Sequence, residues 1–216
     1  MDWQKWQTLF QDFLGEQMTG DPAHDIHHVN RVVHNGRQFA QEERADLAVV
    51  IPATWLHDCV IVPKDSAQRP YASTLAAKTA VHFLQSQNYP SQYLDRIAHA
   101  IAAHSFSAAI QPHTIEAKVV QDADRIDAIG AIGIARCLMV GGALARPLYH
   151  LPDPFCQERQ PDDNQATIDH FYTKLLTLVN SMQTAAARHE AQIRTKFMQN
   201  YLNQLAYEID EEMGKR

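Results

Sequence analysis

The sequence predicts an all-α domain on three observations. Apolar residues recur every three or four positions through most segments, no stretch alternates cleanly with a period of two, and most of the eight glycines and ten prolines fall between the periodic segments. With 216 residues, 45% hydrophobic and 20% charged, the chain fits one globular domain with a buried core. A formal charge of −6 argues against general binding to nucleic acid or anionic membranes. Cys59, Cys137 and Cys156 are too few and too scattered for a disulfide framework, so a reducing, cytoplasmic setting is expected. The N-terminal MDWQKWQTLFQDF is acidic and amphipathic, unlike a signal peptide, and the apolar stretch 126–145 is interrupted by Asp127 and Arg136, so no membrane crossing is expected.

Trp3, Trp6, Phe10, Phe13 and Leu14 define a first amphipathic helix over residues 2–18. Gly20-Asp21-Pro22 turns the chain into a second, with Ile26, Val29, Val32, Val33 and Phe39 on its apolar side and His24, Asp25, His28 and Arg31 on a polar stripe. A strongly apolar helix from Leu47 ends at His57-Asp58, and Pro52 within it predicts a kink or a fresh start. Residues 60–71 read as a loop. Ser73 and Ser91 are placed as caps of helices running to about Gln87 and to His104. A single helix from about Thr114 then carries Val119, Val120, Ile126, Ile129, Ile132 and Ile134, with Gly130 and Gly133 inside it as points of close approach. Gly141-Gly142 opens a long irregular stretch of the length more often functional than idle. Two helices finish the chain, one over Ile168 to Met182 and one over Ile193 to Ile209.

A histidine and a carboxylate side by side at the end of an apolar helix are the first candidates for chemistry. Both ligate divalent metals, and neighbours about 100° apart on a helix can reach one ion between them. Twelve histidines in the chain point the same way. His28 lies on the preceding helix and shares a face with Asp25 and Arg31. In Asp122-Ala123-Asp124-Arg125-Ile126-Asp127, the first two acids lie about 200° apart, so only one faces a given ion. Asp124 is taken as the ligand, with Asp127 on its face to hold a neighbouring group.

Asp25-x-x-His28-x-x-Arg31-Val32, then His57-Asp58, then Ala123-Asp124-Arg125-Ile126 resemble the H…HD…D signature of the HD superfamily of metal-dependent phosphohydrolases. His104-Ser105-Phe106-Ser107, the run from Gln121 to Gly130 and Arg146-Pro147-Leu148-Tyr149 resemble a bacterial subgroup that includes members acting on nucleoside triphosphates. The resemblance covers roughly residues 20–180. It implies a single HD-type helical bundle over 1–216, with a metal-binding core about 20–140 and C-terminal helices about 165–212 packed on it. It also implies one divalent ion on His28, His57, Asp58 and Asp124, for which manganese, iron, cobalt, nickel or zinc is a better match than magnesium.

The activity so implied is hydrolysis of a phosphoester or phosphoanhydride bond in a small phosphorylated substrate, a nucleotide, by metal-activated water. Asp58 and Asp25 are the catalytic carboxylates, Asp25 also as a partner that orients His28, and Asp127 supports the ligands from behind. Lys64, Arg31, Arg125, Arg146 and His104 are assigned to the substrate, Lys64 foremost among the cations. A homodimer is compatible with this reading, nucleic acid as a partner is disfavoured by charge, and no membrane partner is expected. Three alternatives stay open: a nucleotide or metal sensor without turnover, a dinuclear phosphodiesterase or oxygenase recruiting His82 and His104, and a nuclease on DNA or RNA ends, which the net charge disfavours.

Overall fold

The computed structural model describes residues 1–17, 26–62 and 66–212, with side chains through Ile209. The turn at residues 20–22, Asp25 and Lys64 therefore lie outside the described residues. The described elements are helical: α1 (Trp3–Gln17), α2 (Ile26–Glu42), α3 (Leu47–Leu56), α4 (Ala72–Ser86), α5 (Leu94–His104), α6 (Ile115–Ile126), α7 (Gly130–Ala143), α8 (Asp169–Thr173) and α9 (Ala185–Glu212). No strand occurs among them, and the all-α fold class holds. No single helix among the described residues is long and apolar enough to cross a membrane. The chain forms two compact units, Met1–Asp124 with Gln183–Ala187, and Arg125–Met182 with Arg188–Arg216.

In the first unit α1 packs through aromatic rings, Phe10 on Trp55 at 6.0 Å and Phe13 on Phe83 at 4.1 Å between centroids. This apolar floor surrounds α3, whose residues from Ala48 to Leu56 are all buried. Pro52 lies inside α3 and does not mark a fresh helix start. Its missing N–H would orphan the carbonyl four residues earlier, that of Ala48, and the Tyr89 hydroxyl donates to that oxygen at 2.6 Å. Asp46 caps the helix start by accepting from the Ala48 N–H at 2.9 Å.

The starts of other helices differ in detail from the pattern in the sequence. α4 begins at Ala72, and Ser73 donates its hydroxyl to the Ala102 carbonyl of α5 at 2.9 Å instead of capping its own helix. Ser91 opens a short 3-10 turn ahead of α5. Thr114 does cap α6, accepting from the Ala117 N–H at 3.1 Å.

The helix expected to run through residues 114–134 stops at Ile126 and restarts at Gly130. Gly130 holds φ at +78°, a left-handed value that disfavours a side chain, so this glycine belongs to a break. Close approach does occur at both expected glycines, where a Cβ would lie 3.1 Å from the Arg194 side chain of α9 at Gly130 and would overlap the Ala128 carbonyl at Gly133. It also occurs at Gly141, which is inside α7 and not the start of the irregular stretch, since a Cβ there would overlap the Thr167 side chain. The expected helix from Ile168 to Met182 contracts to α8 and a 3-10 segment, Leu175–Ser181. α9 buries Ala191, Met198, Leu202 and Ile209, leaving Ile193 and Phe197 on its exposed side.

The irregular stretch between α7 and α8 is internally bonded. Asp153 accepts the N–H groups of Gln157, Glu158 and Arg159 at 2.8–3.1 Å, and Arg159 forks onto Asp169, its Nη2 meeting Oδ1 at 2.7 Å. Asp169 is fully buried and also accepts from the Asp162 N–H at 2.7 Å. Burial pushes its pKa up, but the Arg159 bonds and charge and the Asp162 amide outweigh this and hold it below the usual carboxylate value. Removing the charge in Asp169→Asn leaves Arg159 without its buried partner and is expected to cost about 3 kcal/mol in urea denaturation at neutral pH. A depressed folded-state pKa stabilises above the ordinary Asp value near ~3.9 and loses that contribution as pH falls through the lower folded value. The wild type is therefore expected to lose stability across that acid window more steeply than Asp169→Asn.

Candidate metal centre

Two histidines at helix ends are aimed by the carbonyls that every helix leaves unpaired in its last turn. His57, just past α3, places Nδ1 at 2.9 Å from the Thr54 carbonyl, and His104, ending α5, places Nδ1 at 2.7 Å from the Ile101 carbonyl. Each Nδ1 donates to a carbonyl three residues back, which directs Nε2 away from the helix. The sequence marked both histidines but not this orienting bond, whose signal was their position at the helix ends.

The two Nε2 atoms point into one cluster in the first unit. His57 Nε2 lies 3.6 Å from Asp58 Oδ2 and 3.8 Å from Asp124 Oδ1, and His28 Nε2, from α2, lies 3.5 Å from the same Asp124 oxygen. His104 Nε2 approaches the other oxygen of Asp58 at 3.4 Å. The rings of His28 and His104 stand 5.4 and 5.0 Å from that of His57. His57 is wholly buried and His28 nearly so, while Asp58 and Asp124 keep about a quarter of their side chains exposed, 27% and 28%. The cluster therefore opens to solvent on its carboxylate side.

His57 Nε2 is buried without a hydrogen-bond partner. Burial lowers the pKa of His57 more than the facing carboxylates raise it, so the ring is neutral and Nε2 carries a lone pair. A lone pair set against two carboxylate oxygens is repulsive unless positive charge lies between them. Ligand atoms each about 2.1 Å from one ion sit about 3.0 Å apart at right angles and about 3.4 Å apart at tetrahedral angles, close to the observed separations. His28, His57 and Asp58 each offer an atom within 4.8 Å of the others. Two imidazole nitrogens and a carboxylate oxygen at this spacing are a donor set able to hold a divalent metal ion. His104 differs: burial opposes its charge, but the hydrogen bond and charge of Asp58, joined by Asp124, carry its pKa up to about 9.

Asp122 and Asp124 part company as their helical angle requires. Asp122 is fully buried, accepting from the Gln183 N–H at 2.9 Å and from the N–H and hydroxyl of Thr184 at 2.8 Å each. It anchors the start of α9, where Thr184 caps by accepting from the Ala187 N–H at 3.3 Å. Asp124 is left to face the histidines. Gly36 sets how closely the supporting helices pack, since a Cβ there would lie 2.7 Å from Thr54 Cγ2 and 3.6 Å from Ala123 Cβ. Thr54 orients His57 and Ala123 adjoins Asp124, so one missing side chain on α2 lets α3 and α6 approach.

The remaining assigned residues are placed less centrally. Arg31 is half-buried one turn along α2 from His28. Arg125 belongs to the second unit and donates Nη1 to the Ser181 carbonyl at 2.8 Å. Asp127 lies past the end of α6, so the shared helical face with Asp124 does not apply, and its buried carboxylate accepts from Arg136 Nη1 at 3.0 Å. Arg146 is half-exposed in the second unit. His82 is exposed on α4, and His99 accepts the His113 N–H at 3.0 Å, so of the histidines between His57 and Asp124 it is His104 that meets Asp58.

Comparison with known proteins places this geometry. The HD domain model matches residues 25–129, which contain His28, His57, Asp58, His104 and Asp124. The uncharacterized protein YpgQ of Bacillus subtilis is 35% identical over 207 residues, 94% of this chain and 91% of YpgQ. An HD-superfamily hydrolase from Bacillus thuringiensis has a crystal structure that superposes with a TM-score of 0.76 at 28% identity, covering 97% of this chain and 99% of that one. YpgQ crystallised in complex with ADP superposes with a TM-score of 0.71 at 33% identity, covering 93% and 97%.

The different work of the two acids on α6 is separable by experiment. Asp124→Asn is expected to weaken manganese binding at least about tenfold in a calorimetric titration, whereas Asp122→Asn should keep the metal stoichiometry and lose about 2 kcal/mol of stability. Gly36→Ala, which forces α2 off α3, is expected to cost about 1–3 kcal/mol by urea denaturation and to weaken manganese binding with it.

Proposed function

Because the chain belongs to the HD domain family, we propose that it is a metal-dependent phosphohydrolase cleaving a phosphoester or phosphoanhydride bond of a nucleotide, with water as the nucleophile. The observation that carries this reading is the buried, unpartnered Nε2 of His57 facing the carboxylates of Asp58 and Asp124, with His28 Nε2 on the same oxygen. A divalent cation held by these four residues would act as a Lewis acid that activates water and offsets charge growing on the phosphoryl oxygens. Manganese, iron, cobalt, nickel or zinc suits two imidazoles and two carboxylates better than magnesium does.

The chain's own groups supply the rest. Thr54 and Ile101 hold the two imidazoles in fixed orientation, so no reorganisation is needed when substrate arrives. Asp58, part-exposed, would accept the proton of the attacking water, with Asp25 as the other carboxylate assigned to this step. His104 steadies the Asp58 carboxylate from its far oxygen. Arg31, one turn from His28 along α2, is with Lys64, Arg125 and Arg146 a cation proposed for the phosphates. The ADP bound to YpgQ supports a nucleotide as the substrate class.

The test is release of phosphate or pyrophosphate from a panel of nucleotides, sugar phosphates and cyclic nucleotides by chelator-stripped protein reloaded with manganese, cobalt, nickel, zinc or magnesium. Turnover restored by a transition metal is expected, with Asp58→Asn losing at least about a hundredfold in kcat. Saturable nucleotide binding with no turnover under any metal would make the protein a sensor instead.

A further inference from the structure

At the opposite ends of the helices that carry the cluster, three charged side chains close on one another. Arg96 of α5 donates from Nη2 to Glu116 Oε1 at 2.7 Å and from Nη1 to Asp46 Oδ2 at 3.2 Å. The Asp46 backbone N–H donates to the same Glu116 oxygen at 3.2 Å, and the other Asp46 oxygen caps α3. Glu116 is buried at 5% exposure, so its carboxylate depends on these donors. Arg96 is more open, its side chain 40% exposed, and its charge is favoured by Glu116 and Asp46 although burial opposes it.

The three residues occupy equivalent places. Asp46 is the N-cap of α3, Arg96 lies in the first turn of α5, and Glu116 lies in the first turn of α6. From Arg96 to His104 and from Glu116 to Asp124 are 8 residues each, and from Asp46 to His57 are 11. At 1.5 Å per residue these are lengths of about 12, 12 and 16 Å. Three helices thus leave one ionic clamp side by side and end at one cluster, where their last residues meet again within 3.4–3.8 Å. A helix transmits axial displacement along its length, so slip of one helix start reappears at its end. A slip of about 1 Å is half a metal–ligand bond.

The geometry points to Arg96 as a positioning residue for the metal centre: by tying Asp46 to Glu116 it sets the register of α3, α5 and α6, and through that register the spacing of His57, Asp58, His104 and Asp124. With Glu116 buried but Arg96 and Asp46 part-exposed, the clamp is a weak source of net stability, and fixing register is the role it suits. The inference rests on the ligand set proposed above.

The test compares the wild type with Arg96→Met, Arg96→Lys and Glu116→Gln, reading the manganese Kd, the visible spectrum of the cobalt-loaded protein and the metal-free melting temperature. Arg96→Met and Glu116→Gln are expected to weaken manganese binding about tenfold and to alter the cobalt spectrum, with Arg96→Lys recovering part of both. If Arg96→Met does not fold, Glu116→Gln and Arg96→Lys carry the same criterion. Lowered melting temperatures with wild-type Kd and cobalt spectrum would overturn the positioning role and leave the clamp purely structural. Absence of any saturable manganese site in the wild type would overturn the ligand set and the clamp's role together, whereas wild-type binding with unaffected variants overturns the clamp alone.

Discussion

An imidazole lone pair facing carboxylate oxygens at 3.6 and 3.8 Å is a repulsive arrangement that a protein does not build without a positive charge to place there. Burial makes the conflict sharper, since His57 has no access to water and its second nitrogen is already committed to the Thr54 carbonyl. Much of the first unit follows from holding these groups still. The core of α3 is apolar throughout, so the polar pair His57-Asp58 can only emerge at its end, and the last-turn carbonyls at that end supply the bond that aims the ring.

The same economy governs the supporting helices. Pro52 would leave the Ala48 carbonyl unsatisfied inside the core, and the Tyr89 hydroxyl fills that place, so α3 continues through the proline to its terminal pair. α6 divides its two acids between the faces of one helix, Asp122 binding the start of α9 and Asp124 facing the histidines. Gly36 removes the one side chain that would hold α2 away from Thr54. The ionic cluster of Arg96, Asp46 and Glu116 sits at the far ends of the helices that finish at the site. Packing, capping and charge all bear on the same few ångströms.

Legibility in the sequence followed the range of the forces involved. Helical periodicity is local, so α1 to α5 and the start of α6 at Thr114 were readable, as was the incompatibility of Asp122 and Asp124 on one face. The break at residues 127–129 was not, because isoleucines continue the apolar pattern across it and the distinguishing fact is the positive φ of Gly130. The stretch ahead of α9 also reads as one helix by spacing, yet the chain there folds into α8 and a 3-10 segment. The exposure of Ile193 and Phe197 depends on which side of α9 meets the rest of its unit, and spacing alone leaves that direction open.

The sequence by itself determined the helical class, the elements from α1 to the start of α6 and the residue types able to hold a divalent ion, because periodicity, capping and ligand chemistry are properties of residues and their near neighbours. Tertiary structure decided which of those residues meet. It brought His28, His57, Asp58, His104 and Asp124 to one place from four helices, gave Asp122 and Asp127 other partners, and joined Arg96 to residues 50 positions before and 20 after it. Contacts across such separations depend on how stiff helices dock, and docking is set by side-chain shape and buried charge that no local pattern encodes.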